Sequence, residues 1–136
     1  MFEVLCFLLA IQRQAKEIHY HAKGDAFWGD HLLADRIYED LDGLIDEIQE
    51  NYYLGREEEA PSQRELLLNA ANDVKDSSDD IKKDFEYLDI LIAQCIAQIE
   101  SIAEDDKNLT AGDNDLLGRI CSDLQKKHGF LVRRIK

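Results

Sequence analysis

His19, His31, Asp35, Asp46 and Glu50 are spaced by twelve, four, eleven and four residues, and every one of them is a metal-ligand type. The stretch from Ala26 to Asn51 reads as a single helix, and at about 100° per residue His31, Asp35, Asp46 and Glu50 fall within an arc of roughly 100°. Asp42 lies in the same arc. Helix amphipathicity alone does not ask for so many ligands on one stripe. Imidazole mixed with carboxylate suits iron, manganese or zinc, so the stripe is a candidate metal site.

The rest of the chain must position that stripe. At 136 residues it is one domain, residues 1–136, with a single core. One proline and seven glycines leave few helix breakers. A net charge of −13 argues against nucleic acid and anionic membranes as partners and favours cations. The three cysteines, Cys6, Cys95 and Cys121, lie in apolar helical stretches without paired spacing, as expected of core thiols in a reducing, cytoplasmic setting. The opening MFEVLCFLLAI has Glu3 where a secretory leader carries basic residues, and it is too short to span a bilayer. It reads as the first helix of the fold.

Four long helices follow from the periodicity. The first covers about Phe2 to Ala22, with Gly24 as its stop. The second carries Phe27, Ala34, Tyr38, Leu41, Ile45 and Ile48 beside the acidic arc. After the loop REEEAP, Ser62 and Glu65 form a capping-box pattern that opens a short helix toward Val74. Ser77 or Ser78 caps the third long helix, whose stripe is Ile81, Phe85, Leu88, Ile92, Cys95, Ile99 and Ile102. EDDKNLTAGDND forms a turn, and the fourth helix runs from about Asn114 to Ile135. No strand signal or repeat appears, so the expected architecture is all-α, an antiparallel four-helix bundle.

A di-iron centre inside such a bundle takes Glu-x-x-His from two helices, and this chain has no ExxH. Asp35 and Asp46 are separated by about 16 Å of helical rise, too far to share one ion. A twofold axis that runs two second helices antiparallel would bring His19, His31 and Asp35 of one subunit against the partner's counterparts of Asp46 and Glu50. Trp28 and Leu32 fall on the same arc, where a monomer would leave them in water.

The segment HYHAKGDAFWGDHLLADRIYEDLDGLIDEIQE resembles the signature of the Dps miniferritins, in which His, KGxxF, HxxxD and DxxxE occur at this spacing. DLLGRICSDLQKKHGFLVRR is similar to the last helix of the same family. The resemblance implies a ferritin-like bundle with a short extra helix between the second and third long helices. It also implies a ferroxidase that oxidises ferrous iron, commonly with hydrogen peroxide, at di-iron sites between twofold-related subunits of a dodecameric iron-storage shell. On that basis His19, His31, Asp35, Asp46 and Glu50 are the catalytic and metal ligands, with Asp42, His21 and Tyr20 behind them. Asp113 and Asp115, with Asp105 and Asp106 nearby, resemble acids lining the pores that admit cations. A reading of another class is a non-catalytic helical assembly or interaction protein with the same fold, and turnover of ferrous iron separates the two.

The family commonly has Trp after the first ligand histidine and another in the last helix, where this chain has Tyr20 and Gly129. Tyr20 can carry an electron hole and Gly129 cannot. The family's DNA binding is credited to a basic tail, and with the first helix read as starting at Met1 none is expected here. Lys126, Lys127, Arg133, Arg134 and Lys136 make the last helix basic, but against −13 they give weak, salt-sensitive phosphate contacts.

Overall fold

The computed structural model describes Met1–Lys136, and all of its regular structure is helical. Helix α1 spans Phe2–His21, α2 Phe27–Tyr38 and α3 Leu41–Glu47. A π-helical stretch, Ile48–Tyr53, and a 3-10 turn, Leu54–Arg56, continue from α3. Helix α4 spans Gln63–Ala71, α5 Ile81–Asp105 and α6 Ala111–Ile135. The long layers are α1, the α2–α3 unit, α5 and α6. Helix α1 packs on α2, α4 and α5, and α5 packs on α6. This is an antiparallel four-helix bundle with a short helix in the long crossing segment, and none of its helices is long and apolar enough to cross a membrane.

The core follows the apolar stripes. Leu5, Leu8, Ile11, Ala15 and Ile18 of α1 meet Ala34, Ile37, Leu41, Ile45 and Ile48. Phe85, Leu88, Ile92, Cys95 and Ile99 of α5 and Leu116, Leu117, Ile120, Leu124 and Leu131 of α6 close the other side. Each large aliphatic or aromatic side chain buried this way contributes about 1.5–3 kcal/mol of transfer free energy.

The second long helix is not continuous. Helix α2 ends at Tyr38, and Glu39 and Asp40 form a turn before α3 begins. The backbone stays near helical angles there, with Asp40 at φ −103°, and the following bond, Leu44 N–H to the Asp40 carbonyl, is stretched to 3.5 Å. A polar tie coincides with the break. Lys127 of α6 is 2 % exposed and pairs with both Asp40 and Asp123. Burial works to raise the Asp40 carboxyl, but the Lys127 hydrogen bond and charge outweigh it and hold the group below the usual carboxylate range.

Capping also departs from expectation at two helices. Helix α5 is capped by Asp80, whose carboxylate accepts from the Lys82 and Lys83 N–H groups at 3.0 and 3.4 Å. Ser78 instead closes the preceding turn, accepting from the Asp80 N–H and donating to its carbonyl. Helix α6 starts earlier than Asn114, because Thr110 and Asp113 form a full capping box at 3.1 and 2.9 Å. At α4 the Ser62 hydroxyl accepts from the Glu65 N–H at 3.4 Å.

The crossing segment is fastened to α1. The Gln14 carboxamide both donates to and accepts from the Lys75 backbone, at 3.0 and 2.7 Å. Glu17 accepts the Ser77 N–H at 3.1 Å.

Candidate metal centre

Helix α1 leaves helical geometry at Ala22, and Gly24, at φ +91°, makes the reversal that L side chains resist. The tight connection sets the last turn of α1 against the first turns of α2. His19 and His31 meet there. The His19 Nδ1 lies 2.9 Å from the His31 carbonyl, and the His31 Nδ1 lies 2.7 Å from the His19 carbonyl. The rings stack with centroids 3.5 Å apart and planes 19° from parallel.

A carbonyl oxygen only accepts, so both Nδ1 atoms carry hydrogen and donate. In the neutral ring the lone pair then sits on Nε2. A backbone carbonyl holding Nδ1–H is the usual support for a metal-binding histidine, because it fixes tautomer and ring plane and raises the basicity of the other nitrogen. The donor set therefore fits a transition metal.

Asp35 stands one turn beyond His31 and is half-buried. It lies against Tyr38, whose phenol is pushed up to about 12, first by burial and then by the Asp35 carboxylate. The Tyr38 ring meets His19 edge-on, with centroids 5.4 Å apart, and the Lys16 ammonium is 5.3 Å from the Tyr38 ring centroid. Phe27 and Trp28 approach His31 at 4.9 and 5.9 Å, and Tyr20 approaches His19 at 5.1 Å. Trp28 is 69 % exposed and Leu32 57 %.

Asp46 and Glu50 lie elsewhere. Both are exposed, Asp46 in a cleft with Asp42, Gln49 and Gln63, and Glu50 in the π-helical stretch. Asp42 accepts a hydrogen bond from the buried Gln12 carboxamide, which needs a partner at that depth. Within one chain no three of the histidine, cysteine, aspartate and glutamate side chains come together to hold an ion. His19 and His31 meet at one end of the α2–α3 unit, with Asp35 one turn further along it, and Asp46 and Glu50 lie toward the other end.

The remaining candidates divide. Tyr20 touches His19 through its ring, whereas His21 bonds back to Glu17 of its own helix, 2.8 Å from the carbonyl and 3.2 Å from the carboxylate. Asp113 is not available to line a pore. It is 3 % exposed and gripped through both oxygens by Arg56. The Arg56 hydrogen bond leads the influences on it, and burial opposes that; the result holds its carboxyl below the usual range. Asp115 is exposed and pairs with Arg119 at 3.0 Å, which also reaches Glu47 at 3.2 Å.

Sequence reasoning placed Tyr38 only in the core. Its signal was present: Tyr38 follows Asp35 by three residues and His31 by seven, on adjoining turns of α2.

No family model matches the sequence, and no curated protein does. Among solved structures, a C-terminal deletion mutant of Mycobacterium smegmatis Dps is similar, with a TM-score of 0.75 at 20% identity. The match covers 99% of this chain and 96% of that one. At that level of identity the likeness speaks to architecture, and over nearly its whole length this chain has the Dps-like, ferritin-like four-helix bundle fold.

Proposed function

We propose that the protein is a ferroxidase and iron-storage subunit that oxidises ferrous iron, with hydrogen peroxide as the oxidant, at sites shared between twofold-related copies. The observation that carries this is the reciprocal His19–His31 pair, in which each Nδ1 donates to a backbone carbonyl and each neutral ring keeps its lone pair on Nε2, with Asp35 one helical turn beyond His31. Those three groups make half a site. Asp46 and Glu50 of a second copy supply the other half, and their hard oxygens stabilise ferric over ferrous iron. The open coordination positions admit peroxide, whereas a closed structural zinc site takes four ligands. Trp28 and Leu32 are covered in such a dimer, which a dodecameric shell repeats. The surface charge of −13 concentrates ferrous ions and disfavours DNA.

The test is an anaerobic ferrous titration followed by peroxide, monitored optically for ferric product. Wild type should oxidise iron well above the protein-free rate, and Asp35→Ala and Glu50→Ala should slow it while melting near the wild-type temperature. Zinc, redox-inert with similar ligand preferences, should compete. Equal rates in all three folded proteins would leave a helical assembly that binds metal without turnover.

A further inference from the structure

Cys95 and Cys121 belong to different helices but to one level of the bundle. The α5–α6 hairpin is registered by His128, whose Nδ1 donates to the Asp89 carboxylate at 2.7 Å. From that contact Cys95 lies six residues toward the connecting turn and Cys121 seven, so at about 1.5 Å per residue they stand within roughly 2 Å of the same height. Seven residues is also about 20° short of two turns, which puts Cys121 on the His128 flank of α6, the flank that meets α5. Cys95 is fully buried on the stripe it shares with Ile92 and Ile99, and Cys121 is half-buried against the same core. Burial first, and then the neighbouring Cys121, pushes the Cys95 thiol up; burial and then Glu100 of α5 raise that of Cys121. Cys6 is elsewhere, on α1 beside Glu3 and Asp73.

All three cysteines are free thiols. Helix axes packed about 8–10 Å apart bring facing Cα atoms to about the 4.4–6.8 Å that a disulfide spans. The pair is unequal in access. Cys121 reaches solvent and Cys95 does not, so an oxidant meets Cys121 first and the buried thiol is held behind it.

We propose that Cys95 and Cys121 form a peroxide-responsive thiol pair that closes a disulfide across the α5–α6 hairpin. The Cys121 sulfur attacks hydrogen peroxide; the O–O bond breaks, an S–O bond forms, and water leaves a sulfenic acid. The Cys95 sulfur then attacks the Cys121 sulfur, the S–O bond breaks, and the hydroxide departs as water with the Cys95 proton. In sum, two thiols and one peroxide give one disulfide and two waters. Raised thiols hold little thiolate at neutral pH, so the pair responds slowly, to sustained peroxide. It needs none of the metal ligands and stands apart from the ferroxidase reading.

The experiment exposes the reduced, metal-free, assembled protein to hydrogen peroxide under chelation, blocks remaining thiols with an alkylating agent, and maps the peptides by mass spectrometry without reduction. Wild type should give a Cys95–Cys121 crosslinked peptide within one chain, with Cys6 alkylated, and dithiothreitol should reverse it. The oxidised protein should melt at least about 5 °C higher than the reduced one. Dimedone should label Cys121 in Cys95→Ala, where the second thiol is missing. The wild-type map needs no variant to fold. A Cys121 sulfinic acid beside a free Cys95, a disulfide that includes Cys6 or joins two chains, a bond that forms only after unfolding or lowers the melting temperature, or no reaction at either thiol overturns the proposal and leaves the ferroxidase reading untouched.

Discussion

His19 and His31 hold each other, each ring donating from Nδ1 to the other's backbone carbonyl, at 2.9 and 2.7 Å. One contact thus closes the α1–α2 hairpin and sets the tautomer of two candidate ligands. The bond and the lone pair can be separated by substitution. In His31→Asn the side-chain amide can stand where Nδ1 stood and still donate to the His19 carbonyl, but no Nε2 remains. The variant should melt within about 1 kcal/mol of wild type, while calorimetric titration shows zinc affinity falling at least about tenfold. His31→Gln, whose amide reaches the Nε2 position instead, should be the less stable of the two. Wild-type zinc binding by His31→Asn would remove His31 from the ligand set.

Assembly is the second expectation. Trp28 and Leu32 are 69 % and 57 % exposed on the face that carries His31 and Asp35. Size-exclusion chromatography with light scattering should find a multimer built on twofold dimers, and Trp28→Glu should shift it toward smaller species. A wild-type monomer at micromolar concentration would sink the shared site.

Division of the site between subunits has a direct test. Chains carrying His31→Ala with Asp35→Ala, mixed with chains carrying Asp46→Ala with Glu50→Ala, pair their undamaged halves at one of the two sites of each heterodimer. Mixed oligomers should regain part of the ferrous oxidation that each parent lacks. If proven co-assemblies stay as inactive as the parents, the ligands act within one chain.

The Asp113–Arg56 pair predicts a pH dependence of stability. Asp113 has its carboxyl held below the usual range, chiefly by the Arg56 hydrogen bond. A depressed folded value means the contribution is complete above the ordinary carboxylate value of about 4 and is lost as pH falls through the folded value. Asp113→Asn keeps one acceptor oxygen for the Thr110 N–H, removes the charge and replaces the oxygen facing Arg56 Nη1 with an amide that cannot accept, much as the protonated acid would. It should cost about 1–3 kcal/mol at pH 7, and its melting temperature should converge on that of wild type as pH drops below about 4. A gap that stays constant down to acid unfolding would assign the loss to shape.

Much of this architecture was legible because core stripes repeat at helical spacing. Leu5, Leu8 and Ala15 of the first helix, Phe85 to Ile99 of the third and Ile120, Leu124 and Leu131 of the fourth are buried as their periodicity predicts, while Leu9 on the first stripe is only half-buried. The helix starts were less legible, since several oxygens compete for each cap. Asp80 wins over Ser77 and Ser78 because it immediately precedes the apolar stripe, and Thr110 is missed because its capping partner is Asp113 and not glutamate or glutamine. At the site, spacing placed His19 near His31 but could not show that each would bond the other's backbone. Tyr38 was hidden by its own apolarity. The break at Glu39–Asp40 has no proline or glycine to announce it, and its partner, Lys127, lies 87 residues away.

That distant lysine carries the last prediction. Lys127 is 2 % exposed, and its ammonium is shared by Asp40, at the helix break, and Asp123, one turn back on α6 at 2.6 Å. Lys127→Ala deletes a buried aliphatic stem and leaves two carboxylates without their cation, so denaturant unfolding should show a loss of about 2–4 kcal/mol. Lys127→Met keeps most of the stem and removes the charge, and it should lose less. Adding Asp40→Asn to Lys127→Met should recover part of the remaining loss, because the uncompensated charge at the break is then gone. The tie lies between the His31–Asp35 end of the α2–α3 unit and its Asp46–Glu50 end, so if it fixes their relative placement the Lys127 variants should also weaken the proposed ferrous oxidation even though Lys127 is not part of the site. Full activity in a destabilised Lys127→Ala protein would show that the ion pair supports the bundle without setting the angle between the two ligand groups.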